Sequence, residues 1–220
     1  RADMDRVKAA FMSAAQRADK LGIDLAELHA AHGYLLNEFL SPLSNLRSDE
    51  YGGSLENRMR FPLEVAQALR AIWRDKPLGA RISGSDWQEG GTTPDEAVRF
   101  AAELKKLDYD YVCVTSGGIS ATAKIAVGLD YQVPFAAQVK KQVGIATRAV
   151  GMIVTPQQAE KIIASGQADM VAIARGFIDN PRWVWHAADV LSAQAAYPPQ
   201  YERGQPKYWP GAKILRQNSI

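Results

Sequence analysis

The residues best suited to chemistry stand close together near the start of the chain. A short apolar run, Leu25-Ala26-Glu27-Leu28, ends in His29; His32 follows three residues later, with Gly33 and Tyr34 directly after it. Two of the three histidines in the chain occupy this one turn. Imidazole donors aimed at one oxygen stabilise negative charge that develops there, and a phenol, whose ordinary pKa is about 10, can donate a proton near neutral pH. Such a set suits a reaction in which a carbonyl becomes enolate-like and a neighbouring carbon is protonated. The same spacing also fits two partly buried histidines satisfied by backbone groups. Paired histidines are common metal ligands too, although no third ligand is evident nearby.

Three further residues carry a possible charge or phosphate function. Arg81 reads as lying near the end of a strand, where it either pairs with a neighbouring carboxylate or faces an anionic ring or carbonyl as a fixed positive charge. Gly151 and Arg175 fall at the carboxyl ends of the last two expected strands. Glycine lets a backbone approach a phosphate closely and arginine offers a forked, charge-assisted contact. The loop Ser41–Arg60, with Asn45, Arg47, Asp49, Tyr51 and Asn57-Arg58, has a plainer explanation: a long loop inside a domain needs its own hydrogen bonds.

The elements that must position these residues alternate. Apolar spacing predicts a helix over Asp5–Leu21, stopped by Gly22, then the strand that carries His29. A second helix is expected over Asn57–Arg74, with Pro62 tolerable only near its first turn. Strands are expected at Leu78–Ser83, Tyr109–Thr115, Thr147–Ile153 and Ala168–Ala174. Between and after them come helices capped by Thr93 or Asp95 and running to Leu107, and over Pro134–Val143, Pro156–Ser165 and Pro181–Gln194. Five strands alternating with helices mean a parallel sheet covered by helices. No Gly-x-Gly-x-x-Gly turn follows any strand, which counts against a dinucleotide-binding open sheet. The polar candidates fall at strand carboxyl ends, where a (β/α)8 TIM barrel places its active site. The expectation is therefore an α/β chain that supplies about five βα units, the last five strands, of such a barrel. Arg1 in place of methionine points the same way, to a chain without its natural beginning, completed by an amino-terminal segment or a second chain.

Composition narrows the classes. The 220 residues are 47% hydrophobic and 23% charged, as in globular proteins, and the 26 basic and 24 acidic residues are interspersed, so no basic stripe points to nucleic acid or a membrane surface. Apolar runs stop short of the roughly 20 residues that a membrane-spanning helix needs, and a cytoplasmic location is the default expectation. Cys113, the single cysteine, excludes an internal disulfide and a cysteine-ligated cluster, and reads as a small buried hydrophobe.

Taken together, His-Ala-Ala-His-Gly-Tyr-Leu-Leu, Phe-Leu-Ser-Pro-Leu-Ser-Asn and Asp-Glu-Tyr-Gly-Gly-Ser-Leu-Glu-Asn-Arg closely resemble the old yellow enzyme family of flavin-dependent ene-reductases, in its bacterial thermophilic-like branch. The resemblance runs from about Asp5 to Gly204. It implies a barrel holding FMN non-covalently, reduced by NADPH or NADH, and acting on a small α,β-unsaturated carbonyl substrate. By position, His29 and His32 would hold the substrate carbonyl and Tyr34 would protonate the α-carbon. Arg81 would lie against the flavin, and Gly151 and Arg175 would hold its phosphate. Arg203 would reach a neighbouring subunit's active site, which implies a homo-oligomer. The expected organisation is a barrel portion over 1–194 and an extension over 195–220 at a subunit interface. Two positions depart from the pattern: Ala174 stands where a glycine often precedes the phosphate-binding arginine, and the residues after Gly204 run past the usual end. Two other readings stand beside this one: a catalytically silent barrel fragment or scaffold, and a metal-dependent hydrolase or lyase built on His29 and His32.

Overall fold

Local sequence rules account for most of the element boundaries. The computed structural model describes residues 1–212 and 214. The helix α1 spans Ala2–Lys20, with Asp3 and Asp5 in its first turn and Arg17 and Lys20 in its last, signs that oppose the helix dipole. β1, Ala26–Ala30, follows. Next comes a helix that the apolar spacing does not predict, α2, Leu35–Leu40, and then α3, Leu55–Ile72, whose Ser54 cap accepts from the Asn57 N–H. β2 is Leu78–Ser83, as expected. α4, Pro94–Lys106, starts with a capping box in which Thr93 and Glu96 bond each other's backbone N–H. The remaining elements are β3 (Tyr111–Thr115), α5 (Val133–Val143), β4 (Ala146–Ala149), α6 (Pro156–Ala164), β5 (Met170–Val171), α7 (Arg175–Asp179) and α8 (Trp183–Val190).

Three expectations need correction. Pro62 lies deep inside α3, not in its first turn. Its ring removes one backbone donor, and its full burial against the core compensates. The strands expected over Thr147–Ile153 and Ala168–Ala174 are shorter, because Gly151, at φ +103, leaves extended geometry and only two residues of β5 find a partner. The helix expected over Pro181–Gln194 shrinks to α8, and Arg175 opens a separate short helix.

The described strands form one parallel sheet in the order β1-β2-β3-β4-β5. Side chains alternate faces along a strand. Leu28, Ala30, Leu78, Ala80, Ile82, Val112 and Val114 form the almost wholly buried outer layer, at 0–2% exposure. The inner face is polar: the register sets His29 beside Arg81, Arg81 beside Cys113, and Cys113 beside Arg148. Gly79 leaves the room that the Tyr111 ring fills, since a Cβ there would lie 2.2 Å from it. Arg148 on β4 donates to Glu27 on β1. Neighbouring strands are about 4.8 Å apart, so three strand spacings would separate β1 and β4 by roughly 14 Å in a flat sheet. The ion pair closes that gap because the sheet curls, with its polar face concave, as in an arc of a barrel.

The chain divides into two units, Arg1–Ile153 with Ile162–Ala172, and Val154–Lys161 with Ile173–Ile220. Within the second, the Trp183 indole N–H donates to the Val154 carbonyl at 3.3 Å, and Trp185 stacks on Tyr197 at 4.2 Å between centroids. Arg203 lies in a 3-10 turn, Pro199–Gly204, and is exposed. Among the described residues, no helix is long and apolar enough to cross a membrane.

Candidate active site

His29 is the penultimate residue of β1, and the chain turns tightly just beyond it. Tyr34 N–H donates to Ala31 O at 3.2 Å, and His32 and Gly33 both take left-handed backbone angles, φ +60 and +74. That conformation is costly for histidine, and three side-chain contacts hold it. His32 N–H donates to Ser83 Oγ at 3.2 Å, and Ser83 Oγ donates to Asn37 Oδ1 at 3.3 Å. Asn37 Oδ1 also accepts from Gly33 N–H at 2.9 Å. Asn37 and Ser83 are buried, so the turn is pinned to α2 on one side and to the end of β2 on the other. The loop after β3 closes against it: a Cβ on Gly33 would lie 2.2 Å from Gly118 O, and one on Gly118 would lie 2.3 Å from the His32 carbonyl carbon. Only glycines permit that approach.

The turn gathers the three candidates into one cluster. Ring centroids are 5.5 Å apart for His29 and His32, and 5.1 Å for His29 and Tyr34. Tyr34 caps α2 and is 64% exposed, so its hydroxyl is open to an approaching molecule. Partial burial, then the Arg81 charge, lowers the His29 pKa. Burial, Arg81 and His29, in that order, bring His32 down to about 4. Both rings are neutral at pH 7, each able to donate from one nitrogen only.

Arg81 stands next to His29 across the β1–β2 pair. Its Nε is buried without a hydrogen-bond partner, and among the described residues no carboxylate forms a salt bridge with it. An unpaired buried guanidinium nitrogen is costly, and the ion pair that the sequence allowed for Arg81 is not seen among the described residues. Gly151 lies two residues beyond β4 at φ +103, and a Cβ there would lie 2.4 Å from the Gln132 side-chain nitrogen. Arg175, in the second unit, is the first residue of α7 and is exposed. Cys113 is fully buried, with its thiol pKa pushed up by burial. Tyr111, on the same inner face, is pushed up to about 12, first by burial and then by the Glu27 carboxylate. Among the described residues no three His, Cys, Asp or Glu side chains come together as a metal site.

Residues 1–194 match the NADH:flavin oxidoreductase / NADH oxidase family over most of the chain. The chain belongs to that family. It is 47% identical over 204 residues to an NADPH dehydrogenase of Geobacillus thermodenitrificans, covering 93% of this chain and 59% of the relative. It is 44% identical over 196 residues to an NADPH dehydrogenase of Clostridium acetobutylicum, covering 88% and 57%. The chain thus spans less than two thirds of the length of these curated relatives. Among solved structures, morphinone reductase aligns with a TM-score of 0.71 at 29% identity, over 94% of this chain and 55% of that one. A complex of 2-naphthoyl-CoA reductase with 2-naphthoyl-CoA aligns with a TM-score of 0.78 at 29% identity, over 86% and 29%. The old yellow enzyme resemblance holds, and the curled sheet is part of a (β/α)8 barrel.

Within this family frame, the sequence reading missed the residues that hold the cluster: Asn37, Ser83, Thr115 and Gln132. Ser83, Thr115 and Gln132 stand at element ends and Asn37 in the first turn of α2, and small or amide side chains are so common in such places that nothing local marks them out.

Proposed function

We propose that this chain carries the catalytic cluster of an FMN-dependent ene-reductase, which uses NADPH or NADH to reduce the activated C=C bond of α,β-unsaturated carbonyl compounds. The observation that supports this most is the cluster of His29, His32 and Tyr34 beside Arg81, whose Nε has no hydrogen-bond partner. FMN fits these residues: a half-buried cation whose Nε has no hydrogen-bond partner suits the electron-rich edge of the isoalloxazine ring. Gly151, with no side chain of its own, and Arg175, with its forked donors, are each suited to a phosphate.

When bound, FMN supplies the hydride. The protein's own side chains do the rest. A neutral imidazole N–H from His29 or His32 would bond the substrate carbonyl oxygen and stabilise the charge that grows there as the β-carbon gains hydride. Tyr34, exposed at the head of α2, would deliver a proton to the α-carbon. Arg203 and the segment 195–220 would lie at a contact between copies of the chain.

The test uses the native protein that carries this sequence. It should purify with a flavin absorbance between about 350 and 500 nm, lose that colour anaerobically with NADPH, and convert 2-cyclohexenone to cyclohexanone. Tyr34→Phe should keep reduction by NADPH and slow the enone half-reaction. A protein that is bleached by NADPH yet leaves the enone untouched would refute the ene-reductase reading and retain only the flavin oxidoreductase one.

A further inference from the structure

The inner face of the sheet carries an ion pair that passes over a nearer partner. Glu27 is the only carboxylate on the described strands, and two guanidinium groups share its face, Arg81 on β2 and Arg148 on β4. Gly79 is the register partner of Glu27, and Arg81 stands two residues further along that adjacent strand. At about 4.8 Å between strands and 3.3 Å per residue, the Cα atoms of Glu27 and Arg81 are roughly 8 Å apart, within the combined reach of the two side chains. Glu27 nevertheless accepts from Arg148, three strand spacings along the sheet. The Arg81 Nε stays buried without a hydrogen-bond partner.

Tyr111 and Gly79 account for the choice. Gly79 has no side chain, and the Tyr111 ring fills the place beside Glu27: a Cβ on Gly79 would lie 2.2 Å from that ring. The Arg148 guanidinium lies over the same ring, 5.0 Å from its centroid, where the aromatic face attracts a cation. The ring thus carries Arg148 across the concave face to Glu27. The two side chains are 23% and 21% exposed. In so poorly solvated a place, removing one member of the pair leaves the other charged and uncompensated.

We propose that Arg148 is a positioning residue: it holds the Glu27 carboxylate on the β4 side of the inner face and so keeps it from neutralising Arg81. The charge of Arg81 is then left for FMN, a consequence that rests on the reading of Arg81 as a flavin contact. Without Arg148, the Glu27 carboxylate would turn to Arg81. His29, which is paired with Arg81 across β1 and β2, would then stand beside a neutralised cation and an added negative charge. That effect on His29 does not depend on the flavin reading, so the two can fail separately.

The experiment follows His29 and the flavin together in the native protein that carries this sequence. The variants are Arg148→Met, Arg148→Lys, and Arg148→Met combined with Glu27→Gln. His29 is titrated by NMR with 13C-labelled histidine and assigned by its loss in His29→Asn, and the flavin potential is read by equilibration with a redox dye. In Arg148→Met, His29 should bind its proton at least about threefold more tightly, a midpoint raised by about half a pH unit. The flavin should become roughly tenfold harder to reduce, about 30 mV for a two-electron couple. Arg148→Lys, which keeps the charge, and the double variant, which removes the carboxylate as well, should both return towards the parent. An unchanged His29 midpoint in Arg148→Met overturns the proposal, and so does a rise that persists in the double variant. A His29 response without a change in potential supports the proposal and refutes Arg81 as a flavin contact. Should Arg148→Met fail to fold, Arg148→Gln decides in its place, since an amide bonds a carboxylate without balancing its charge: an unchanged midpoint there is equally fatal. A merely structural pair would lower stability in every variant and leave the His29 titration where it is.

Discussion

Replacing Arg58 by alanine probes how the frame behind the His29–Tyr34 turn is held. Arg58 is 4% exposed on α3. Its guanidinium spends three donors on three separate elements: Nη2 on Glu96 Oε1 at 2.5 Å in α4, Nε on Gly53 O at 3.2 Å in the preceding loop, and Nη1 on Leu40 O at the end of α2. Removing one partner of a buried ion pair costs about 3–5 kcal/mol, because the other charge and its acceptors stay behind unpaired. Glu96 is 23% exposed at its side chain, so water recovers part of that loss, and about 3 kcal/mol is the expected figure. The α4 cap should survive, since Glu96 bonds the Thr93 N–H through its other oxygen. Urea unfolding of Arg58→Ala beside the parent, followed by circular dichroism, measures this as a lower midpoint at unchanged slope. Because Leu40 ends the helix whose Asn37 pins Gly33, the variant should also broaden the NMR signals of His32. A loss under about 1 kcal/mol would refute the reasoning, showing that the guanidinium is replaced by water at little cost.

Three further outcomes are expected. The His32 pKa of about 4 lies below the ordinary 6.5, so the unfolded chain takes up the proton first. The stability due to the neutral ring is full above pH 6.5 and is lost as pH falls towards 4; allowing for the ring's partial exposure it amounts to about 1–2 kcal/mol. His32→Gln should flatten that part of the pH–stability curve, and direct NMR titration should find the low pKa. Gly33→Ala, which combines a left-handed backbone with a Cβ 2.2 Å from Gly118 O, should cost at least ~2 kcal/mol in thermal or urea unfolding. Gly53→Ala, with φ +79 and nothing within 4 Å, should cost only about 1 kcal/mol; equal losses would show that the contact with Gly118 is not tight. Thr93→Ala removes the α4 cap and should lower stability by about 1 kcal/mol in the same assay.

The sequence by itself determined the alternation of strands and helices, because hydrophobic periodicity and capping residues act over a few positions. Thr93 marks a helix start, Gly22 and Gly166 mark stops, and β2 covers Leu78–Ser83 as its apolar run predicts. It also singled out His29, His32 and Tyr34, whose spacing in a single turn is visible in the chain. What it could not determine is anything that depends on contacts between residues far apart. Pro62 sits inside α3 because the buried face rewards it, against its local preference. Arg148 and Glu27, 121 positions apart, meet only once the sheet has curled. Arg81 could have been an ion-paired strand residue; the fold leaves its Nε without a partner. His32 meets Thr115, 83 positions along the chain, and Thr115 meets Gln132, contacts that no local pattern marks. Side chains so far apart in sequence become hydrogen-bond partners only because the tertiary structure places them side by side.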